Sequence, residues 1–296
     1  MDKIARGIAA GGDFRVLAAI TTDTVTEAVR RHRTSPTVAA ALGRTMTAAL
    51  LLAASLKESD RLTLRIEGDG PAGTIIAEAT AAGAVRGYVA NPLAELPAKD
   101  GGKLDVGGVL GKGMLQVIRE IGTNLSVPLE PYVGSVPLVS GEIAEDVAYY
   151  LLTSEQIPSA VLLGVLLQNT EPFVRASGGV IIQMMPGANE HLLTMIEDTI
   201  ANAPHLTSII NENTVPEDLL RHAIGKIDLE ILEEKPARFE CSCSLERANA
   251  MLVSLGPVEV AAMIAEDDSA VITCGFCGER YEMTGDNLRK LINSAD

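Results

Sequence analysis

Cys241-Ser242-Cys243 and Cys274-Gly275-Phe276-Cys277 decide how the last 56 residues of this chain fold. They contain the only four cysteines among 296 residues, and thirty residues separate the two pairs. A CxC and a CxxC sequence at this distance form two halves of one site, and the closed loop brings together four thiolates suited to Zn²⁺. We predict one zinc ion per chain in the reduced protein, with two local disulfides as the alternative. The predicted metal ligands are Cys241, Cys243, Cys274 and Cys277.

The C-terminal segment, residues 241–296, is too short to bury a large apolar core. Ser244 is a good N-cap for a helix that ends at Gly256, and a second helix is expected to run to about Ala265. Ser269–Thr273 and Arg280–Met283 have the pattern of two strands joined through the CxxC turn. Zinc binding coupled to folding contributes on the order of 10–16 kcal/mol in small modules, so we expect this segment to unfold without its metal.

The charge of the chain argues against nucleic acid as a partner. Its net charge is −15, and residues 190–240 contain eleven acidic and four basic residues. A protein that binds phosphates should present lysine and arginine, and one that stacks on bases should be richer in aromatic residues than four Phe, five Tyr and no Trp. We therefore expect no nucleic acid partner.

The sequence also predicts a cytoplasmic protein that does not enter a membrane. The N-terminus, Met1-Asp-Lys-Ile-Ala-Arg6, has no apolar signal segment. A reducing compartment would keep the four thiols free for metal. Val38–Leu56 is apolar but contains Gly43, Arg44 and two threonines, which favours a buried helix over a membrane span.

The pattern of strands and helices predicts an α+β fold. An antiparallel meander with glycine-rich turns is expected to pack on one long helix, Ser35–Lys57. Its strands are Arg61–Glu67, Thr74–Thr80 and Val85–Val89. Two further helices are predicted at Gly141–Thr153 and Ser159–Leu167, followed by a core strand, Phe173–Met185, with a bulge at Gly178-Gly179.

The chain is expected to have three parts: an α+β domain over residues 1–187, a metastable linker over 188–240 and a zinc-binding domain over 241–296. The linker combines acidic residues with apolar stripes that have little core of their own. The stripe residues are Leu192, Ile196, Ile200, Leu219, Leu220, Leu229 and Ile231. We expect them to rest on the N-terminal domain.

Two motifs that suggest enzymes have simpler explanations. Gly68-Asp-Gly-Pro-Ala-Gly73 matches a dinucleotide-binding pattern, but the strand-like Thr74–Thr80 follows it where a helix is required, so a hairpin is predicted. Glu142, Glu145 and Asp146 resemble an acid–base cluster, and we expect them to be a solvated helix face. No nucleophile–base arrangement accompanies them, so the sequence does not indicate an enzyme.

The cysteine spacing resembles that of the 33 kDa chaperonin family, the redox-regulated heat-shock holdases. The resemblance covers essentially the whole chain, with no departure at a predicted metal position. The segments that carry it in the N-terminal part are Gly43–Lys57, Val85–Pro92, Pro131–Asp146 and Gly178–Gly187.

The resemblance implies an ATP-independent chaperone that is inactive when reduced and zinc-bound. Oxidants would form the disulfides Cys241–Cys243 and Cys274–Cys277, release zinc and unfold the linker. The active form, a homodimer, would then bind unfolded client proteins. Two other classes remain open: a thiol–disulfide oxidoreductase that uses Cys274 and Cys277, and a nucleic-acid-associated zinc-ribbon protein.

Overall fold

Residues 1–57, 60–122 and 130–293 are described by a computed structural model, and the chain divides into two units, Met1–Glu240 and Cys241–Asp296. The first unit contains two sheets and the helices packed on them. Its strands are β1 (Lys3–Ala9), β2 (Phe14–Ile20), β3 (Arg61–Gly68), β4 (Thr74–Thr80), β5 (Ala84–Val89), β6 (Gly113–Glu120), β7 (Tyr132–Pro137), β8 (Ser159–Leu167), β9 (Val174–Met184), β10 (Leu229–Pro236) and β11 (Arg238–Phe239). Its helices are α1 (Thr22–His32), α2 (Pro36–Ala53), α3 (Val106–Leu110), α4 (Ala144–Thr153), α5 (Glu190–Asn202) and α6 (Pro216–Ile224).

A five-stranded sheet has the order β10-β1-β2-β9-β8, and a six-stranded sheet has the order β11-β5-β4-β3-β6-β7. All neighbours in both sheets are antiparallel except β11, which pairs with β5 in parallel. The α+β class and the meander β3-β4-β5 are therefore confirmed. β1, β2 and α1 were not predicted as individual elements.

α2 packs on both sheets through the larger apolar cluster of the unit. The Ser35 hydroxyl accepts the N–H of Val38 at its first turn, and every residue of the helix except Pro36 and Arg44 is buried. Its length and hydropathy match a membrane span, yet 89% of that window is buried inside the protein. A helix buried on nearly all sides must be apolar on nearly all faces, which explains its high content of alanine and leucine.

The Gly68–Gly73 segment is the tight turn between β3 and β4, as predicted. A Cβ atom on Gly68 would lie 1.9 Å from the carbonyl oxygen of Leu110, and one on Gly70 would lie 2.5 Å from the Leu110 carbonyl carbon. These glycines are therefore required because the backbone of α3 lies directly against the turn.

The structure contradicts two predictions in the region of residues 159–185. Ser159–Leu167 is the strand β8, which pairs with β9 along its whole length, whereas the sequence suggested a helix. An apolar run without charges has no periodicity that separates the two states, and here sheet pairing determines the outcome. The bulge in β9 is also displaced: the register continues through Gly178 and Gly179 and shifts opposite Leu166 and Leu167.

The second unit contains α7 (Leu245–Leu255), α8 (Pro257–Asp267), β12 (Ser269–Thr273), β13 (Arg280–Thr284) and α9 (Gly285–Asn293). β12 and β13 form an antiparallel pair, and the helices pack around it. The first four elements agree with the predicted ones, whereas α9 was not predicted. Within the described part of this unit, five buried apolar residues form the core: Ala248, Leu252, Val260, Met283 and Leu288.

Candidate metal centre

Local structure in the second unit positions the four cysteines. Cys241 and Cys243 lie in the extended segment before α7, whose first turn is capped by the Ser244 hydroxyl, which accepts the N–H of Arg247 at 3.2 Å. Cys274 and Cys277 lie in the turn between β12 and β13. This turn is closed by the N–H of Gly278, which donates to the carbonyl of Cys274 at 2.8 Å. Gly278 has φ 71°, a conformation that favours glycine.

All four Sγ atoms lie within 4.8 Å of one another. The Sγ atoms of Cys241 and Cys274 are 3.7 Å apart, and those of Cys243 and Cys277 are 3.3 Å apart. A tetrahedral zinc ion with Zn–S bonds of about 2.3 Å requires S···S distances of roughly 3.8 Å. Both the donor set and the spacing therefore fit a tetrathiolate zinc site.

Burial and one hydrogen bond affect the ionisation of the cysteine thiols. Burial raises the pKa of the Cys277 thiol and that of Cys243, so without a metal these groups resist ionisation. A dication reverses this preference because it binds the thiolate form. The Tyr281 hydroxyl donates a hydrogen bond to Cys243 Sγ at 3.1 Å. Such a bond supports the charge of a thiolate and fixes the orientation of its side chain.

The sequence did not predict the contact between Tyr281 and the cysteines. It lies in β13 opposite Ile272, and it faces the sulfurs because of the register of the β12–β13 pair. Nothing in the separation of 38 residues between Cys243 and Tyr281 marks such a contact.

The segment that precedes the cysteines packs on the outer face of the five-stranded sheet. Ile196, Leu219 and Leu220 are fully buried there against Phe14 and Val180. All seven stripe residues of residues 188–240 belong to or pack against this same apolar cluster. The predicted packing of the segment on the N-terminal strands is therefore confirmed.

The acid–base cluster that the sequence suggested is a structural feature, and the prediction that it is a solvated face is wrong for Asp146. Glu145 is exposed, but Asp146 is fully buried and accepts backbone N–H groups from the preceding loop. The donors are Val139 at 2.7 Å, Ser140 at 3.1 Å, Gly141 at 3.3 Å and Ile143 at 2.9 Å. Glu142 forms an ion pair with Arg44 at 2.8 Å.

Comparisons with known proteins agree along the whole chain. Residues 2–284 match the family model described as Hsp33 protein. The chain is 47% identical over 291 residues to the 33 kDa chaperonin of Desulforamulus reducens, covering 98% of this chain and 97% of that protein. It is 48% identical over 302 residues to a 33 kDa chaperonin of Thermus thermophilus, covering 99% and 87% of the two chains. The crystal structure of the 33 kDa chaperonin from Thermotoga maritima superposes with a TM-score of 0.90 at 35% identity, over 99% of this chain and 98% of that one.

Proposed function

This chain belongs to the Hsp33 family of chaperones, and we propose that it is an ATP-independent holdase switched on by oxidation. In the reduced protein Cys241, Cys243, Cys274 and Cys277 hold one zinc ion, and the client-binding surface is covered. In the oxidised protein the same residues form disulfides, and the surface binds unfolding proteins. The observation that carries the proposal is the convergence of four thiols within 4.8 Å in a unit with a very small core.

The four cysteines would react faster with oxidants as thiolates, and a bound zinc ion would supply that form. A free thiol with a pKa near 8.5 is only about 3% ionised at pH 7, whereas sulfur that binds a metal is deprotonated. Cys277 is buried, while the other three cysteines are partly exposed and open to small oxidants.

Each disulfide requires the removal of two electrons from two thiolates. One molecule of hydrogen peroxide accepts those two electrons, takes two protons from the solvent and becomes two molecules of water, so two molecules oxidise all four cysteines. Once oxidised, the four cysteines would no longer offer charged donors that could hold a metal. We propose the pairs Cys241–Cys243 and Cys274–Cys277, because closing a short loop costs the least entropy once no metal joins the two halves.

Without the metal, the second unit would depend on an apolar cluster of five buried residues among those described, which is too small a core to remain folded. Cys241 directly follows Glu240 in the chain, and the last contacts of the first unit are slight. β11 contains two residues, and Phe239 lies under the guanidinium of Arg31 at 5.3 Å. A disordered chain beyond residue 240 therefore frays β11 and, through it, the linker.

Release of residues 188–240 uncovers the apolar outer face of the five-stranded sheet. This face, with the apolar stripes of the freed linker, is the proposed surface for clients. The eleven acidic residues between 190 and 240 keep the open form soluble. The homodimeric active form, the cytoplasmic location and the absence of a nucleic acid partner remain predictions drawn from the sequence and the family.

The test measures zinc content and suppression of client aggregation, by light scattering, before and after peroxide treatment of one sample. We expect one zinc per chain and no suppression before treatment, and zinc release with suppression afterwards. An insulin-reduction assay on the same sample separates the oxidoreductase alternative, and salt-dependent binding of DNA or RNA separates the ribbon alternative. A metal-free reduced protein whose second unit remains folded would refute the zinc switch.

A further inference from the structure

β10 lies at one edge of the five-stranded sheet, and β1 is its only strand partner among the residues that the structure describes. It also lies in the linker that oxidation is proposed to release. Removal of β10 therefore does more than expose the apolar face of the sheet. It also leaves β1 as the edge strand, with no strand paired on that side.

Backbone hydrogen bonds show which groups of β1 would be freed. The N–H of Ala10 donates to the carbonyl of Asp228 at 3.0 Å, and the N–H of Ala237 donates to the carbonyl of Asp2 at 3.0 Å. Alternate residues of an antiparallel strand bond to the same neighbour, so the even-numbered residues of β1 face β10. Between Asp2 and Ala10 these are Ile4, Arg6 and Ile8. Their N–H and C=O groups lose their partners when β10 leaves.

The side chains of β10 indicate which kind of extended segment can pair with β1 in its place. Leu229 and Ile231 point into the apolar cluster on the outer face of the sheet, and the intervening Glu230 is exposed. Further along, Glu233 pairs with Arg6 at 2.7 Å, and Glu234 pairs with Lys3 at 3.3 Å. The position thus suits an extended segment with alternating apolar residues and carboxylates near its end.

In the reduced protein, the exposed edge of the sheet is β10, and its sequence discourages such segments from pairing with it. The outer edge of β10 has several charged side chains, a terminal proline and a register shift near Leu232, all of which discourage the addition of another strand. β1 contains no proline, and its only charged side chains are Lys3 and Arg6. A Cβ atom on Gly7 would lie 2.3 Å from the carbonyl oxygen of Glu230, so this glycine lets a neighbouring backbone approach closely.

On the basis of the proposed function, we propose that β10 fills the place on β1 that an extended segment of a client protein takes in the open form. The client adds an antiparallel strand to the sheet. Backbone hydrogen bonds then provide affinity that does not depend on client sequence, and alternate apolar side chains enter the exposed cluster. Lys3 and Arg6, freed from Glu234 and Glu233, favour client segments with carboxylates.

Hydrogen exchange of the β1 amides tests this addition directly. The probe is reduced, carboxymethylated α-lactalbumin, a permanently unfolded protein, added to the oxidised full-length chain. The amides of Arg6, Ile8 and Ala10 should exchange rapidly without the probe and at least about tenfold more slowly with it, as expected for regained strand hydrogen bonds. Binding of the probe is measured on the same sample by analytical sedimentation.

A proline variant provides a second measurement. Arg6 is exposed, and proline is tolerated on an edge strand where its missing N–H faces outward, so Arg6→Pro should block strand addition while leaving the β1–β2 pairing intact. Arg6→Ala is the reference, because it removes the same side chain and the same ion pair but keeps the N–H. After oxidation, Arg6→Pro should require at least about fivefold more protein than Arg6→Ala for equal suppression of aggregation, as the loss of about one hydrogen bond predicts.

The outcomes separate this proposal from the proposed function. If the probe binds while the β1 amides keep exchanging rapidly, or if both Arg6 variants suppress aggregation equally, strand addition is wrong and the redox holdase stands. If β10 stays protected after oxidation while aggregation is suppressed, the exchange of strands is likewise wrong. If the oxidised protein neither binds the probe nor suppresses aggregation, the proposed function itself fails.

Discussion

Ile196→Ala tests whether packing of the linker keeps the chaperone inactive. Ile196 lies on α5, is fully buried and belongs to the apolar cluster between the linker and the five-stranded sheet. Met195 is its neighbour on the same helix and is 55% exposed, so Met195→Ala is a matched control. Both substitutions shorten a side chain on the same turn, but only the first removes contacts with the sheet.

The magnitude follows from the burial of the two side chains. Truncation of a fully buried isoleucine to alanine costs about 2–5 kcal/mol, and the loss here weakens the docking of the linker. At 1.4 kcal/mol per factor of ten, the docking equilibrium shifts by roughly 30- to 4,000-fold toward release. Met195→Ala should change stability by no more than about 0.5 kcal/mol, because its side chain is largely exposed.

The assay is light scattering of a heat-unfolding client in the presence of reductant and zinc. Ile196→Ala should suppress aggregation without an oxidant, whereas Met195→Ala should need peroxide, like the unsubstituted protein. Zinc content should equal that of the unsubstituted protein in both variants, since neither residue lies in the second unit. If hydrogen exchange shows a released linker in reduced Ile196→Ala and the variant is still inactive, the coverage of the sheet by the linker does not control activity.

Three further predictions concern the cysteines and the loop before α4. Cys277→Ser should lower the zinc content below one per chain, as measured by native mass spectrometry. It should also speed amide hydrogen exchange throughout residues 241–293 while the first unit stays folded. Full zinc occupancy in this variant would contradict the predicted set of ligands. Peptide mapping of the oxidised protein should find Cys241–Cys243 and Cys274–Cys277. The Sγ atoms of Cys241 and Cys274 are also close, at 3.7 Å, as are those of Cys243 and Cys277, at 3.3 Å. A predominance of these cross-linked pairs would reject local closure. Asp146→Asn should lower the unfolding temperature by roughly 2–8 °C, because an amide cannot accept all four loop N–H groups and the free energy of unfolding falls by about 1–3 kcal/mol. The control is Glu145→Gln, since Glu145 is an exposed neighbour. Equal unfolding temperatures of the two variants would show that the loop does not depend on Asp146.

Sequence patterns within a short segment correctly predicted those strands and sites whose structure depends mainly on the residues of that segment. Alternation of apolar and polar residues over Arg61–Glu67 and over parts of Thr74–Thr80 predicted β3 and β4. The turn between them requires glycine because the backbone of α3 lies against it. The cysteine pairs predicted their own convergence, since no other residue is needed to define a tetrathiolate site. The apolar stripes of the linker indicated an amphipathic segment that requires a surface, and the outer face of the sheet provides it.

Features that depend on distant partners were not visible in the sequence. β8 has no charged residue to show which face is outward, and its pairing with β9 determines its conformation. Asp146 looks like a surface carboxylate until the loop of residues 139–143 folds around it. Tyr281 reaches Cys243 only through the register of a two-stranded sheet. In each case the deciding contact joins residues whose separation in sequence carries no periodic signal.

The positions of the cysteines along the chain explain how chemistry at sulfur could control a surface more than 200 residues earlier in sequence. Cys241 follows β11 and β10 without an intervening loop, and β10 completes the sheet to which β1 belongs. Neither part has a large apolar core of its own: among the described residues, the apolar cluster of the second unit contains five buried residues, and the linker packs its apolar side chains on the sheet. In the proposed switch, a metal bound by the four cysteines would therefore stabilise the part of the chain that directly follows β10 and β11. Oxidation would remove that support at the end from which β11, then β10, would separate from their sheets.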